Sequence, residues 1–144
     1  MLEIGIINRE LARIISQQGH GDWLMITDAG FAIPKDADVL DISLTENVPT
    51  VPDLLTVLSK FFSVEKMILA KQTSDINPKL FNRITRSFGE NVEVELVDHI
   101  SLKEISKKSK SIIRTGDFTA FGNVILVSGS GNRWYAEKKT ESPE

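Results

Sequence analysis

Histidine is the side-chain type that titrates near neutrality, and this chain has only two, His20 and His99. His20 stands between two glycines in "GHGDW", and Asp28 lies beyond the apolar run "WLMIT", in "TDAGFAIP". His99 follows Asp98 in "VDHISLKE", with Lys103 one helical turn further on. An imidazole that a carboxylate can orient is able to give and take a proton in both directions of one reaction. Each residue also has a plain structural use. His20 could be a surface turn residue and Asp28 an Asx-turn former. Asp98, His99 or Ser101 could cap a helix, and Lys103 could simply be solvated. The histidines and aspartate fit no zinc spacing such as HExxH, so no metal is expected.

Composition narrows the classes. The chain has 144 residues, 41% hydrophobic and 26% charged, which suits one soluble domain with one core. A formal net charge of -3 offers no electrostatic footprint for nucleic acid. The basic run Lys107-Lys108-Ser109-Lys110 reads as a solvated helix end. With no cysteine, disulfides and thiolate catalysis are excluded. No apolar stretch reaches the ~20 residues of a membrane span. Glu3, Arg9, Glu10 and Arg13 interrupt any signal-peptide core, so a cytoplasmic location is expected. "SGSGN", residues 128–132, resembles a phosphate loop only weakly, because it lacks the lysine and the helix that should follow.

The elements that must position these residues alternate. Helices are expected over 8–18, from about Pro52 through Phe62, from Pro78 to near Gly89, and over 101–108. Strands are expected at 23–27, 39–44, 66–71, 92–97 and 123–129. Strands separated by helices of this length predict an α/β domain with a mainly parallel sheet. We expect one domain over 1–130 and an extension over 131–144 whose charged end is disordered. Trp134 and Tyr135, just past the last strand, should pack on the body or on a neighbouring subunit.

In such sheets, ligands gather at the carboxyl ends of strands. Asp28, Asp98 and His99 take that position, whereas His20 precedes the first strand. A five-residue strand spans roughly 17 Å. Either the glycine-flanked loops curl inward, or the site is completed across a subunit boundary.

Four segments, "GHGDWLMITDAGFAIP", "LDISLTENVPT", "VDHISLKE" and "IIRTGDFTAFGNVIL", occur in the order and spacing of one known family. From about Ile6 to Gly129 the chain resembles the D-ribose pyranase/L-fucose mutarotase (RbsD/FucU) family, closer to its ribose pyranase branch. The resemblance implies a three-layer, RbsD-like domain that interconverts pyranose and furanose forms, and anomers, of a free aldose, most often D-ribose. It implies His20 as proton donor, with Asp28 and His99 binding sugar, Lys103 nearby, and Phe121-Gly122-Asn123 also contacting sugar. It further implies ring-shaped oligomers, commonly decamers of two stacked pentamers, with sites at subunit boundaries. Opening a hemiacetal is acid–base chemistry, so no metal or organic cofactor is expected.

The chain departs from the family pattern in three places. Phe121 stands where tyrosine is usual, Lys71-Gln72 where ribose pyranases often carry two glutamates, and the chain continues past the last strand. Action on L-fucose or another sugar, or sugar binding without turnover, are the alternative readings.

Overall fold

A computed structural model describes residues 1–131 and 133–137. The disorder expected of the charged end falls chiefly on residues 138–144, outside those described. Capping residues start several helices where the sequence places them. Asn8 accepts the Leu11 N–H at 3.0 Å and opens α1, Arg9–Ser16. Thr50 and Asp53 form a reciprocal capping box at the start of α2, Val51–Leu58, with Pro52 in its first turn. The helix stops short of Phe61 and Phe62, because Lys60 and Phe61 bond to carbonyls only three residues back and tighten the chain into a turn.

Strand β1, Trp23–Thr27, matches the apolar run, and four of its five residues are buried. Strand β2 is shorter than expected, Val39–Asp41. The Asp41 carboxylate accepts the Ser43 N–H at 2.9 Å and turns the backbone out of the sheet. Strand β3, Val64–Ala70, runs straight into α3, Lys71–Ile76, which starts with no side-chain cap and which the sequence did not announce. Helix α4, Pro78–Thr85, ends a little earlier than expected, and β4 covers Glu93–Val97. Helix α5, His99–Ile105, begins two residues before its expected start, because Asp98 is the cap and accepts the Ile100 N–H. A 3₁₀ turn at Ser106–Lys108 completes it. Strand β5, Ser111–Arg114, was not anticipated, and β6 is Val124–Ser128.

The strands form one six-stranded sheet in the order β2-β5-β1-β6-β3-β4. Strand β5 is parallel to β1 and β2, and β3 is parallel to β4, while β6 runs antiparallel to both its neighbours. The sheet is thus mixed but mainly parallel. Alternate side chains of β1 face opposite layers. Leu24 and Ile26 pack with Leu11 and Ile14 of α1, Leu54 and Leu55 of α2, and Ile84 of α4. Met25 joins Ile112, Ile125, Leu102 of α5 and Phe31 on the other face. Helices therefore cover both faces, giving a three-layer α/β domain. Among the described residues no helix is long and apolar enough to cross a membrane.

Candidate active site

The sheet order decides which loops meet. Strands β5 and β6 flank β1, so the segment joining them, residues 115–123, passes the carboxyl end of β1 where Asp28 stands. The Asp28 N–H donates to Asn123 Oδ1 at 2.9 Å, and the Ala29 N–H donates to the Asp117 carbonyl at 2.8 Å. Helix α5 approaches from the far side of the sheet and brings His99 and Lys103. A cavity of about 510 Å³ opens between these parts. Asp28, His99, Lys103, Phe121 and Asn123 all line it, together with Phe31, Arg114 and Asp117.

Asp28 is 8% exposed, and its carboxylate accepts the Gly30 N–H at 3.0 Å and the Gly122 N–H at 3.3 Å. Burial pushes it above the usual carboxylate range, the N–H groups of Gly30, Gly122 and Phe31 pull it back, and the negative charge of Asp117 pushes it up again. A carboxylate offers about four acceptor positions, so with these three N–H donors one remains for a ligand. Gly122 is absent from the cavity lining; its part is to hold Asp28. A Cβ there would lie 3.0 Å from the Thr119 carbonyl.

Phe121 adopts a left-handed backbone, φ +59°, which is costly for an aromatic residue. Thr73 on α3 donates its hydroxyl to the Phe121 carbonyl at 2.6 Å, and Asn77 donates its amide to the Ala120 carbonyl at 2.6 Å. These bonds help hold the turn. They bring the Phe121 ring to 5.0 Å from the His99 ring at 88°, while Phe31 meets His99 edge-on at 6.4 Å. Gln72 accepts the His99 N–H at 3.1 Å and donates to Asp98 at 3.0 Å, which braces the start of α5. His99 Nδ1 is buried with no hydrogen-bond partner among the described residues.

Sequence reasoning did not single out Arg114 or Asp117 individually, although both lie in the quoted segment "IIRTGDFTAFGNVIL". Arg114 grips the Ala29 carbonyl at 2.9 Å and Asp41 at 2.9 Å, tying the loop after β1 to the end of β2. Asp117 is 2% exposed and accepts the N–H groups of Val51 and Thr119. An acidic residue directly after a glycine, as in "TGD", was the available signal.

His20 is not in this cavity. It lies in the turn before β1, at the opposite end of that strand from Asp28, and its side chain is 65% exposed. Its Nε2 is 3.1 Å from Glu65 Oε2. The flanking loops do not curl back. Near Glu65 runs a wider groove of about 990 Å³, lined in part by Phe61, Phe88, Trp134 and Tyr135. Trp134 and Tyr135 remain 71% and 87% exposed, so within this chain they do not pack as core.

The cavity thus gathers carboxylate, imidazole, ammonium and amide groups at the carboxyl edge of an α/β sheet. Residues 1–130 match the RbsD / FucU transport protein family. The chain belongs to that family, and by kinship with its pyranases it is an isomerase. It is 43% identical over 130 residues to a D-ribose pyranase of Kosmotoga olearia, spanning 90% of this chain and 98% of the relative. A D-ribose pyranase of Pseudothermotoga lettingae is 36% identical, over 90% of this chain and 92% of its own. The structure of Bacillus subtilis RbsD complexed with D-ribose superposes with a TM-score of 0.85 at 35% identity, covering 90% of this chain and 98% of that one. A fucose mutarotase of Streptococcus pneumoniae, at 18% identity and TM-score 0.71 over 87% and 94% of the two chains, shares the fold.

Proposed function

We propose that this protein interconverts the pyranose and furanose forms, and the anomers, of free D-ribose without a cofactor. The observation that carries the reading is the convergence of Asp28, His99, Lys103, Phe121 and Asn123 on one cavity of about 510 Å³. A relative 35% identical, with a TM-score of 0.85, holds D-ribose. The cavity has the size of a small-molecule site.

The chemistry follows from the groups present. The cyclic hemiacetal opens when its ring oxygen gains a proton and its anomeric hydroxyl loses one. The resulting aldehyde recloses through the C4 or C5 hydroxyl by the reverse transfers. Asp28 accepts a sugar hydroxyl with its spare acceptor position, and Phe121 lies against one face of the ring. His99 and Asn123 supply polar partners, since a hydroxyl buried without one is costly. His20 passes the proton. General acid–base help of this kind contributes roughly 10²–10⁴-fold, which suits a reaction that proceeds slowly unaided.

His20 of one protomer serves the cavity of the next. Within a chain, β1 separates it from Asp28 by roughly 17 Å. Several large apolar side chains are also left in water, among them Phe118 beside the cavity, Ile100, Leu44 and Ile4. Neighbouring subunits would cover them. The assembly we favour is a ring, pentameric and stacked in pairs to a decamer, in a cytoplasmic setting.

Magnetisation-transfer NMR on D-ribose tests the reading. Wild-type protein should speed pyranose–furanose exchange, and His20→Ala should abolish the effect. Tight ribose binding with unaccelerated exchange would sink the catalytic reading and leave a sugar-binding protein. A panel of sugars that includes L-fucose, run in the same way, identifies the preferred substrate.

A further inference from the structure

Three features of the fold converge on one side chain outside the cavity. The pairing of β3 with β6 slips by one residue at Glu65, between Val64↔Ser128 and Lys66↔Val127. Such a bulge leaves the extra residue unpaired and re-aims its side chain. The second feature is Gly129, just past β6. A Cβ on it would lie 2.5 Å from both Glu65 Cβ and Glu65 Oε2, so only glycine leaves room for the carboxylate where it is. The third is the anchoring of the His20 loop to the same strand end. Gly21 donates to the Ser128 carbonyl at 2.7 Å, and Ser128 donates to the Asp22 carbonyl at 2.9 Å. The result is Glu65 Oε2 at 3.1 Å from His20 Nε2, across 45 residues of sequence.

We propose that Glu65 is a positioning residue for His20, with the bulge and Gly129 as the devices that aim it; this rests on the reading of His20 as the proton-transferring group. An exposed pair of this kind adds little stability, so two backbone devices devoted to it point to orientation instead. An ionised carboxylate can only accept, so Glu65 holds the proton of the neutral imidazole on Nε2 and leaves Nδ1 to exchange protons with the sugar. A carboxylate fixing the tautomer of an imidazole is a recurring arrangement wherever one ring nitrogen must do chemistry.

The test uses the full-length assembled protein. Ring ¹⁵N shifts of His20 in the wild type should report the Nε2–H tautomer, and Glu65→Ala should move them toward a tautomer mixture. In the exchange assay E65A should lower kcat about tenfold to a hundredfold with KM within a factor of about two. Glu65→Gln keeps an acceptor at the same reach and should recover the tautomer and part of the rate. Gly129→Ala, whose methyl displaces the carboxylate, should copy E65A in the ¹⁵N shifts. Unchanged ¹⁵N shifts and kcat in E65A, with exchange still lost in H20A, would overturn the role of Glu65 and leave His20 standing. Full exchange in H20A would overturn both.

Discussion

Asn123 Oδ1 receives the backbone N–H of Asp28 at 2.9 Å, with both residues buried, so the start of β6 clamps the end of β1. This bond uses the carbonyl end of the Asn123 side chain and leaves its amide nitrogen for a hydroxyl. Asn123→Ala strands a buried N–H, which costs about 1–3 kcal/mol. Urea unfolding should show that loss, and ribose affinity should fall with it. A variant as stable as the wild type would contradict the clamp.

Asp28 gives a pH dependence of defined sign. Burial lifts its folded-state pKa above the ordinary value of 3.8, so below 3.8 its contribution to stability is at its greatest. That contribution declines as pH rises through the folded value, because the buried group must then ionise. Asp53, drawn down chiefly by the Thr50 N–H, and Asp98, drawn down chiefly by Gln72, act oppositely and lose their contribution as pH falls below 3.8. Asp28→Asn removes the buried carboxyl and leaves Asp53 and Asp98 as they are. The stability advantage of the wild type over D28N should shrink in denaturant melts as pH rises from below 3.8 toward neutrality. A widening gap would refute the assignment.

Phe121 carries backbone strain and a ring packed edge-on against His99. Phe121→Ala keeps the left-handed backbone but loses the ring, and an aromatic contact of this kind is worth about 0.5–1.5 kcal/mol. Ribose titrations should show binding weakened by a few-fold to about tenfold. Phe121→Tyr, which adds a hydroxyl able to bond a sugar, should bind at least as tightly with an unchanged melting temperature.

A site shared between subunits predicts complementation. H20A and D28A should each be inactive alone, because each lacks one half of every site. Co-expressed in equal amounts, they should recover about a quarter of wild-type exchange, the share expected when the two kinds of chain pair at random. No recovery from verified mixed oligomers would place both residues in one chain's site and contradict the distance along β1.

Much of the fold was legible locally. Asn8 marks a helix start because a cap must satisfy N–H groups within three residues, and Pro52 and Pro78 mark theirs because a fixed φ and a missing N–H suit a first turn. Asn77, expected to cap α4, instead turns its amide to the Ala120 carbonyl. "WLMIT" marks β1 because a strand inside the sheet is apolar on both faces. "SIIR" escaped notice because four residues after a lysine run carry no readable period, and α3 because it begins without a cap. The expected ends of α2 and β2 ran long, since apolar residues continue in the sequence beyond the turns that end them.

The residue types fixed in advance that this chain could do histidine–carboxylate chemistry, and the motif order fixed its family resemblance. Only the tertiary structure put Asp28 beside Gly122 and Asn123, left His20 at the other end of its strand, and set Glu65 against it. These are consequences of strand order, and strand order is chosen by long-range packing of two cores against one sheet. No local spacing along the chain encodes which strands become neighbours.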